Sequence, residues 1–186
     1  MSLINMSLVD IIKSVVNKLQ KDFSKHPYDF TSYEIEAQVR VYNELMKNIK
    51  GKFKVNRPDA VPPFKSEETP CVKLEWKLGD NIHDIVVFKE DVTDPGSYDD
   101  IEGFIEIKSG WGETKDHLSN NSVKKDFELV QIHAHIGYLI IFLANNFNDI
   151  SKEYQDFYIQ TFKAHKKTYG IKEGHVYLVF RDRVLS

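Results

Sequence analysis

The feature that most constrains this chain is the nearly continuous apolar run YLIIFLA, from Tyr138 to Ala144. A run of this kind is typical of a β-strand that is covered on both faces. It is far shorter than the roughly 18 residues that a membrane-spanning helix requires. We therefore expect a sheet flanked by helices, and no membrane partner.

Two amphipathic helices are predicted before the sheet begins. Apolar residues recur at helical spacing from Ser7 to Phe23, and Ser7 has the character of an N-cap. A second helix is predicted from Thr31, its expected N-cap, to about Lys50, with Gly51 as its stop. An extended connection of about twenty residues should follow, since prolines recur in it: Pro58, Pro62, Pro63 and Pro70.

The pattern then changes from helical spacing to alternation. Strands at Cys71–Leu78 and His83–Glu90 form a predicted hairpin, and a third strand is predicted at Ile101–Ser109. The later elements are a helix at about Ser122–Ile136, the apolar strand, a helix at Ser151–Tyr169 and a strand at His175–Arg181. The order α, α, β, β, β, α, β, α, β predicts an α/β fold with a mixed central sheet flanked by helices.

Composition narrows the class of protein. With 186 residues, 41% of them hydrophobic, the chain can form a single domain around one core. The net charge of -3 provides no global positive field for nucleic acid, so any basic surface has to be local. The single cysteine, Cys71, excludes an internal disulfide and a cysteine zinc cluster. No secretory leader is recognised, and we expect a cytoplasmic protein.

The third predicted strand carries two charges in the stretch GFIEIKSGWG. Glu106 and Lys108 share one face of this strand, because strand side chains alternate. If the second and third strands pair, Asp84 lies beside Glu106. Two adjacent carboxylates repel each other and are costly to bury unless a proton or a cation lies between them. Magnesium suits that position. The alternative is that Glu106 and Lys108 form a surface ion pair.

These residues resemble the PD-(D/E)xK nuclease superfamily, whose restriction-endonuclease-like fold has an αβββαβ core. Asp84 opens the second strand, and Glu106-Ile107-Lys108 ends the third. The corresponding core is residues 31–146, with an N-terminal helical extension at 1–26 and a C-terminal helix and strand at 151–183.

The resemblance implies metal-dependent hydrolysis of a phosphodiester bond, most often by an endonuclease acting on DNA. It makes Asp84, Glu106 and the Ile107 carbonyl the ligands of Mg²⁺, with Mn²⁺ as a substitute, and Lys108 the catalytic cation. Lys108 would assist deprotonation of a water or stabilise charge on a phosphate. The motif's proline is missing, since His83 precedes Asp84. The literal Pro-Asp pair at 58–59 is discarded, because the AVPPF that follows it cannot form a central strand.

The first core helix offers a further acidic residue. A helical wheel centred on Tyr42 places Glu34 about 80° and Gln38 about 40° from that centre, with Glu36 about 120° away toward solvent. We therefore expect Glu34 to support the site, although Thr31 and Glu34 also fit a capping box. The same wheel assigns these residues to the apolar face: Ile35, Val39, Leu45, Met46 and Ile49.

Several other polar residues have weaker claims to the site. Lys125 and Gln131, on the helix after Lys108, either face the site or belong to a solvated surface. His117 follows the third strand in a loop. His133 and His135 are two residues apart on a helix, so they diverge and are poorly placed to share a metal.

DNA is the expected partner. Tyr98 and Trp111 flank the third strand and either contact bases or close the rim of the core. Local clusters of basic residues would follow a phosphate backbone, unless they are only solvated helix ends: Lys47, Lys50, Lys52, Lys54 and Arg57, and Lys163, Lys166 and Lys167.

Two questions about assembly stay open. Cutting both strands of a duplex favours a homodimer. The alternative function is a catalytically inactive nuclease-fold module that binds nucleic acid or a protein partner. In that case the apolar face of the first helix would either pack on the core or join two subunits.

Overall fold

The computed structural model describes residues 6–31, 33–56, 66–90, 92–111, 121–144 and 151–186. Its helices are α1 (Leu8–Lys25), α2 (Tyr28–Thr31), α3 (Glu34–Asn48), α4 (Asn121–Ile132) and α5 (Lys152–Thr168). Its strands are β1 (Lys52–Asn56), β2 (Ser66–Pro70), β3 (Val72–Leu78), β4 (Asn81–Phe88), β5 (Ile101–Trp111), β6 (Gly137–Ala144), β7 (Val176–Val179) and β8 (Val184–Leu185). None of the helices in these ranges is long and apolar enough to span a membrane.

A mixed six-stranded sheet organises the fold, in the order β3-β4-β5-β6-β7-β8. Strands β3, β4 and β5 form an antiparallel meander. β5, β6 and β7 run parallel, and β8 returns antiparallel to β7. The predicted α/β class is confirmed. The short strand β8, which the sequence did not indicate, extends the sheet beyond its predicted last strand.

The central strand β6 explains the apolar run. Ile140 and Phe142 pack into one cluster with α1 and α3. Leu139 and Ile141 pack into a second cluster with α4 and α5 on the opposite face. Every residue of β6 is buried, because helices cover both of its faces, as predicted.

Helix α1 begins as the sequence indicates. The Ser7 hydroxyl accepts the backbone N–H of Asp10 at 3.3 Å, which caps the helix. Its apolar face is buried in the core, through residues such as Val16 and Phe23. The apolar face of this helix therefore packs on its own chain, which removes it as a free surface for joining two subunits.

Helix α3 differs from the prediction at its start and in its orientation. Thr31 is the last residue of the short helix α2, and Tyr33 occupies the N-cap position of α3 without a side-chain capping bond. The capping box is therefore wrong. The buried face is centred on Val41, since Ile35 and Val39 are 46% and 39% exposed. It is rotated by about 100°, or one residue, from the predicted face.

The connection between α3 and β3 contains two strands that the sequence did not indicate. β1 and β2 pair antiparallel, with Phe53 opposite Thr69. Phe53 is buried against Trp76 and Phe88. The proline pattern indicated only an extended chain, because the pairing partner is not visible from local sequence. Asp59 and the residues around it lie outside the described ranges.

Candidate active site

The candidate site lies where β4 and β5 pair. Ile85 is opposite Ile105 in the antiparallel register, which places Asp84 and Glu106 at the next position along. The Asp84 carboxylate accepts the backbone N–H of Ile107 at 2.6 Å. The hairpin therefore holds Asp84 against the backbone of β5, beside Glu106, as the sequence suggested.

Lys108 connects two helices on opposite faces of the sheet. Its Nζ lies 3.3 Å from Glu34 Oε1 on α3 and 3.6 Å from Asp126 Oδ2 on α4. The side chains of Lys108 and Asp126 are 18% and 15% exposed, so their contact is largely withdrawn from solvent, whereas Glu34 is 39% exposed. Glu34 thus reaches the site. On the helical wheel of α3, it lies about 20° from Val41, the centre of the buried face.

Asp126 belongs to the site and was not predicted. Lys125 and Gln131, the candidates on the same helix, are both exposed, and neither has a side-chain hydrogen bond or ion pair with Asp84, Glu106 or Lys108 among the described residues. A signal was present, because Asp126 is three residues after Val123 and four before Val130, both buried. An acid at helical spacing with core residues faces the interior. His117 lies outside the described residues.

The electrostatics of the site show a surplus of negative charge. Burial raises the pKa of Asp84 to about 7, and the charge of Glu106 adds to the rise, although the Ile107 N–H and Lys108 oppose it. Burial also raises the pKa of Asp126 to about 7, against the opposing charge of Lys108. Burial alone would lower the pKa of Lys108, but the carboxylates of Asp126, Glu34 and Asp84 raise it overall. Lys108 therefore stays protonated.

Glu106 is held on its other side by His83. The imidazole Nδ1 lies 2.6 Å from Glu106 Oε1, and Nε2 lies 2.9 Å from the Tyr98 hydroxyl. His83 is fully buried and Glu106 is 6% exposed. His83 thus contacts the candidate site, which the sequence did not suggest.

The side chains have the chemistry of a site for a hard cation. Mg²⁺ is usually held by one or two carboxylates together with phosphate oxygens and water, and the buried Oδ2 of Asp126 has no hydrogen-bond partner among the described residues. Within the same residues, no three His, Cys, Asp or Glu side chains are arranged around one point so as to hold a metal. The carboxylates are of the chemical type that binds a divalent cation, but the described side chains do not form a completed cage.

Most of the other predicted contact residues have local roles. Tyr98 stacks on His133 with ring centroids 4.0 Å apart, so it closes the rim of the core. The side chain of Trp111 lies outside the described part of the structure. Among the basic residues, Lys47 pairs with Glu44, and Lys52 pairs with Glu68. Lys163 and Lys167 are exposed on α5.

Comparison of this chain with protein-family models, with curated proteins and with solved structures gives no significant match.

Proposed function

We propose that this protein is a metal-dependent nuclease that hydrolyses phosphodiester bonds, and that it acts as an endonuclease on DNA. The observation that carries the proposal is a cluster of four interacting carboxylates, two of which contact the ammonium group of Lys108. They come from three layers of the fold: Glu34, Asp84, Glu106 and Asp126. When all four carboxylates are ionised, they carry four negative charges against the one positive charge of Lys108, a surplus of three (4 − 1). Burial makes this surplus of negative charge energetically unfavourable.

A divalent cation is the simplest compensation for this charge. Asp84 and Glu106 would hold Mg²⁺, or Mn²⁺ in its place, with the carbonyl of Ile107 as a further ligand. A bound divalent cation supplies Lewis acidity, which activates water and neutralises charge on the scissile phosphate. Carboxylates serve magnesium in this way together with oxygens of the substrate phosphate.

Lys108 would supply a fixed positive charge. Its contacts with Glu34 and Asp126 hold the ammonium in place and keep it protonated. A preorganised cation stabilises the negative charge that develops on a phosphoryl group during attack. Glu34 and Asp126 act through Lys108 in this proposal and serve as positioning residues.

The order of elements also supports a nuclease fold. Disregarding the small β1–β2 sheet, α3, β3, β4, β5, α4 and β6 follow one another in the succession αβββαβ. In the proposed reaction water attacks phosphorus, the bond from phosphorus to the 3′ oxygen breaks, and that oxygen takes a proton. The products are a 5′-phosphate and a 3′-hydroxyl.

A plasmid-nicking assay tests the proposal. We expect the wild type to nick supercoiled DNA with Mg²⁺ and to stop when EDTA is added. Asp84→Asn, Glu106→Gln and Lys108→Met should each lower the rate by about 10²-fold or more, the size of effect seen when a preorganised electrostatic group is removed.

Helix α3 provides a matched pair of variants for the same assay. Glu34→Gln removes a contact to Lys108 and should slow nicking, whereas Glu36→Gln changes an exposed acid in the same turn and should not. Equal rates for wild type, Asp84→Asn and Glu106→Gln would assign any nicking to a contaminant and reject the nuclease proposal.

A second candidate is a nuclease-fold module that binds nucleic acid or a protein partner without cutting. The observation that favours it is the lack, among the described residues, of a group of three side chains disposed to hold a metal. DNA binding that is unchanged by EDTA, in a chain that binds no Mg²⁺ and does not nick, would favour this function.

A further inference from the structure

His83 lies at the centre of a hydrogen-bonded chain that ends on Glu106. Nδ1 of the imidazole is 2.6 Å from Glu106 Oε1, and Nε2 is 2.9 Å from the hydroxyl of Tyr98. The amide of Asn81 donates to the same hydroxyl at 3.3 Å. The chain therefore runs from the exposed end of β4 to the buried carboxylate on β5.

The hydrogen bonds in this series all run in one direction, from Asn81 toward Glu106. An ionised carboxylate only accepts hydrogen bonds, so Nδ1 of His83 must carry the proton that it shares with Glu106. Nε2 then accepts from the Tyr98 hydroxyl, which in turn accepts from Asn81. With the proton on Nδ1, Nε2 can accept, since the partner of one ring nitrogen fixes the role of the other.

Packing prevents the two rings from turning. His83 is fully buried and lies against Phe104, with ring centroids 4.2 Å apart. Tyr98 stacks on His133 at 4.0 Å. It also begins a short 3₁₀ turn that a capping box between Ser97 and Asp100 closes. The imidazole therefore donates to Glu106 from a fixed position.

Only one oxygen of Glu106 is engaged in this way. Oε1 accepts from His83, and Oε2 has no hydrogen-bond partner among the residues that the structure describes. We propose that His83 is a positioning residue, which fixes Oε1 of Glu106 so that Oε2 is the oxygen presented to a divalent cation, and that Tyr98 orients His83. This inference rests on the nuclease function proposed above.

Outer-shell partners of metal ligands affect metal affinity by about 10- to 100-fold. His83→Leu removes the donor and should weaken Mg²⁺ binding by that factor. His83→Asn places an amide N–H near the position of Nδ1 and should recover most of the affinity. Tyr98→Phe keeps the imidazole but removes its second partner, so a smaller loss in the same direction is expected.

Calorimetric titration of the full chain with Mg²⁺ tests the inference, with His135→Leu, an exposed histidine outside the hydrogen-bonded chain, as the matched control. Circular dichroism and thermal unfolding establish that each variant is folded. We expect the affinities to fall in the order wild type and His135→Leu, then His83→Asn and Tyr98→Phe, then His83→Leu.

The outcomes separate the two proposals. If the wild type binds no Mg²⁺, the nuclease function and this inference both fail. If the wild type binds and a folded His83→Leu binds equally well, only the positioning role fails. It also fails if a folded His83→Asn binds as weakly as His83→Leu, because packing rather than the donor would then matter. If His83→Leu does not fold, an unchanged affinity in Tyr98→Phe overturns the role assigned to the chain.

Discussion

Asp84 and Asp126 are the residues at which burial and charge conflict most clearly. Both carboxyls have a pKa raised to about 7, with burial as the largest cause. Each would be ionised at that pH in an unfolded chain, where the pKa is about 3.9. The native state thus binds more protons than the unfolded state between these two values. Since stability falls with rising pH under that condition, the two residues destabilise the fold near neutral pH.

The first prediction concerns this pH dependence. With EDTA present, the free energy of unfolding should decrease as the pH rises from about 4 to about 7, and then level off. The contribution of each carboxyl is on the order of a few kcal/mol, and the two titrations are coupled. Asp126→Asn should remove part of the decrease. Urea denaturation at pH 5 and pH 8 measures the free energy of unfolding of the wild type and the variant.

The matched control for that measurement is Asp156→Asn, since Asp156 is an exposed acid on α5. It should leave the difference in stability between pH 5 and pH 8 as it is in the wild type. If the difference in stability between pH 5 and pH 8 were the same in Asp126→Asn as in the wild type, this result would contradict a raised pKa at Asp126.

Among the elements, α1 and α3 show how a helix face is chosen. The buried face of α1 follows its apolar spacing, with Phe23 packed edge-on against Phe30 and Phe142. The buried face of α3 includes Gln38 and Glu44 and leaves Ile35 exposed. Glu44 is stabilised there by ion pairs to Lys18 of α1 and to Lys47. Contacts between helices thus override hydrophobicity within α3.

The second prediction tests the packing of α1. Phe23→Ala should lower the free energy of unfolding by about 3–5 kcal/mol, the usual cost of removing a buried aromatic ring. The oligomeric mass should stay the same, because this face is covered within the chain. Thermal or urea unfolding and light scattering measure the two quantities. Lys13→Ala, on the exposed face of α1, is the control. A change of mass with little loss of stability would instead identify a subunit interface.

At the scale of the whole molecule, the site joins three layers. Glu34 comes from the helices on one face of the sheet, Asp126 from the helices on the other, and Asp84, Glu106 and Lys108 from the sheet itself. The surplus of negative charge at the site therefore affects how all three layers pack together. A ligand that neutralises this surplus is expected to stabilise the entire fold, because it binds the native state alone.

The third prediction follows from that linkage. Mg²⁺ at about 100 times its dissociation constant should add about 2.7 kcal/mol to the free energy of unfolding. The melting temperature should rise with Mg²⁺ concentration at pH 8, and Glu106→Gln should abolish most of the rise. Glu102→Gln, an exposed acid on the same strand, should respond to Mg²⁺ like the wild type. A melting temperature that is independent of Mg²⁺ in the wild type would contradict a cation site.

The sequence by itself determined the class of the fold and the strands on which Asp84 and Glu106 lie. The apolar run in β6 required cover on both faces, and the alternation around Asp84 and Glu106 indicated strands, because both patterns reflect local periodicity. It did not reveal that β1 pairs with β2, nor which face of α3 is buried, because these depend on contacts between distant segments.

Only the tertiary structure added Asp126 and His83 to the site. Asp126 lies on a helix that the sheet separates from Glu34, and it meets Lys108 because α3 packs against β5 and α4 packs against the neighbouring strand β6. His83 occupies a motif position that suggested no role, and its partners, Glu106 and Tyr98, are 23 and 15 residues away. Periodicity shows which way a side chain points along its own element. The distance between two such side chains is decided by how the layers pack.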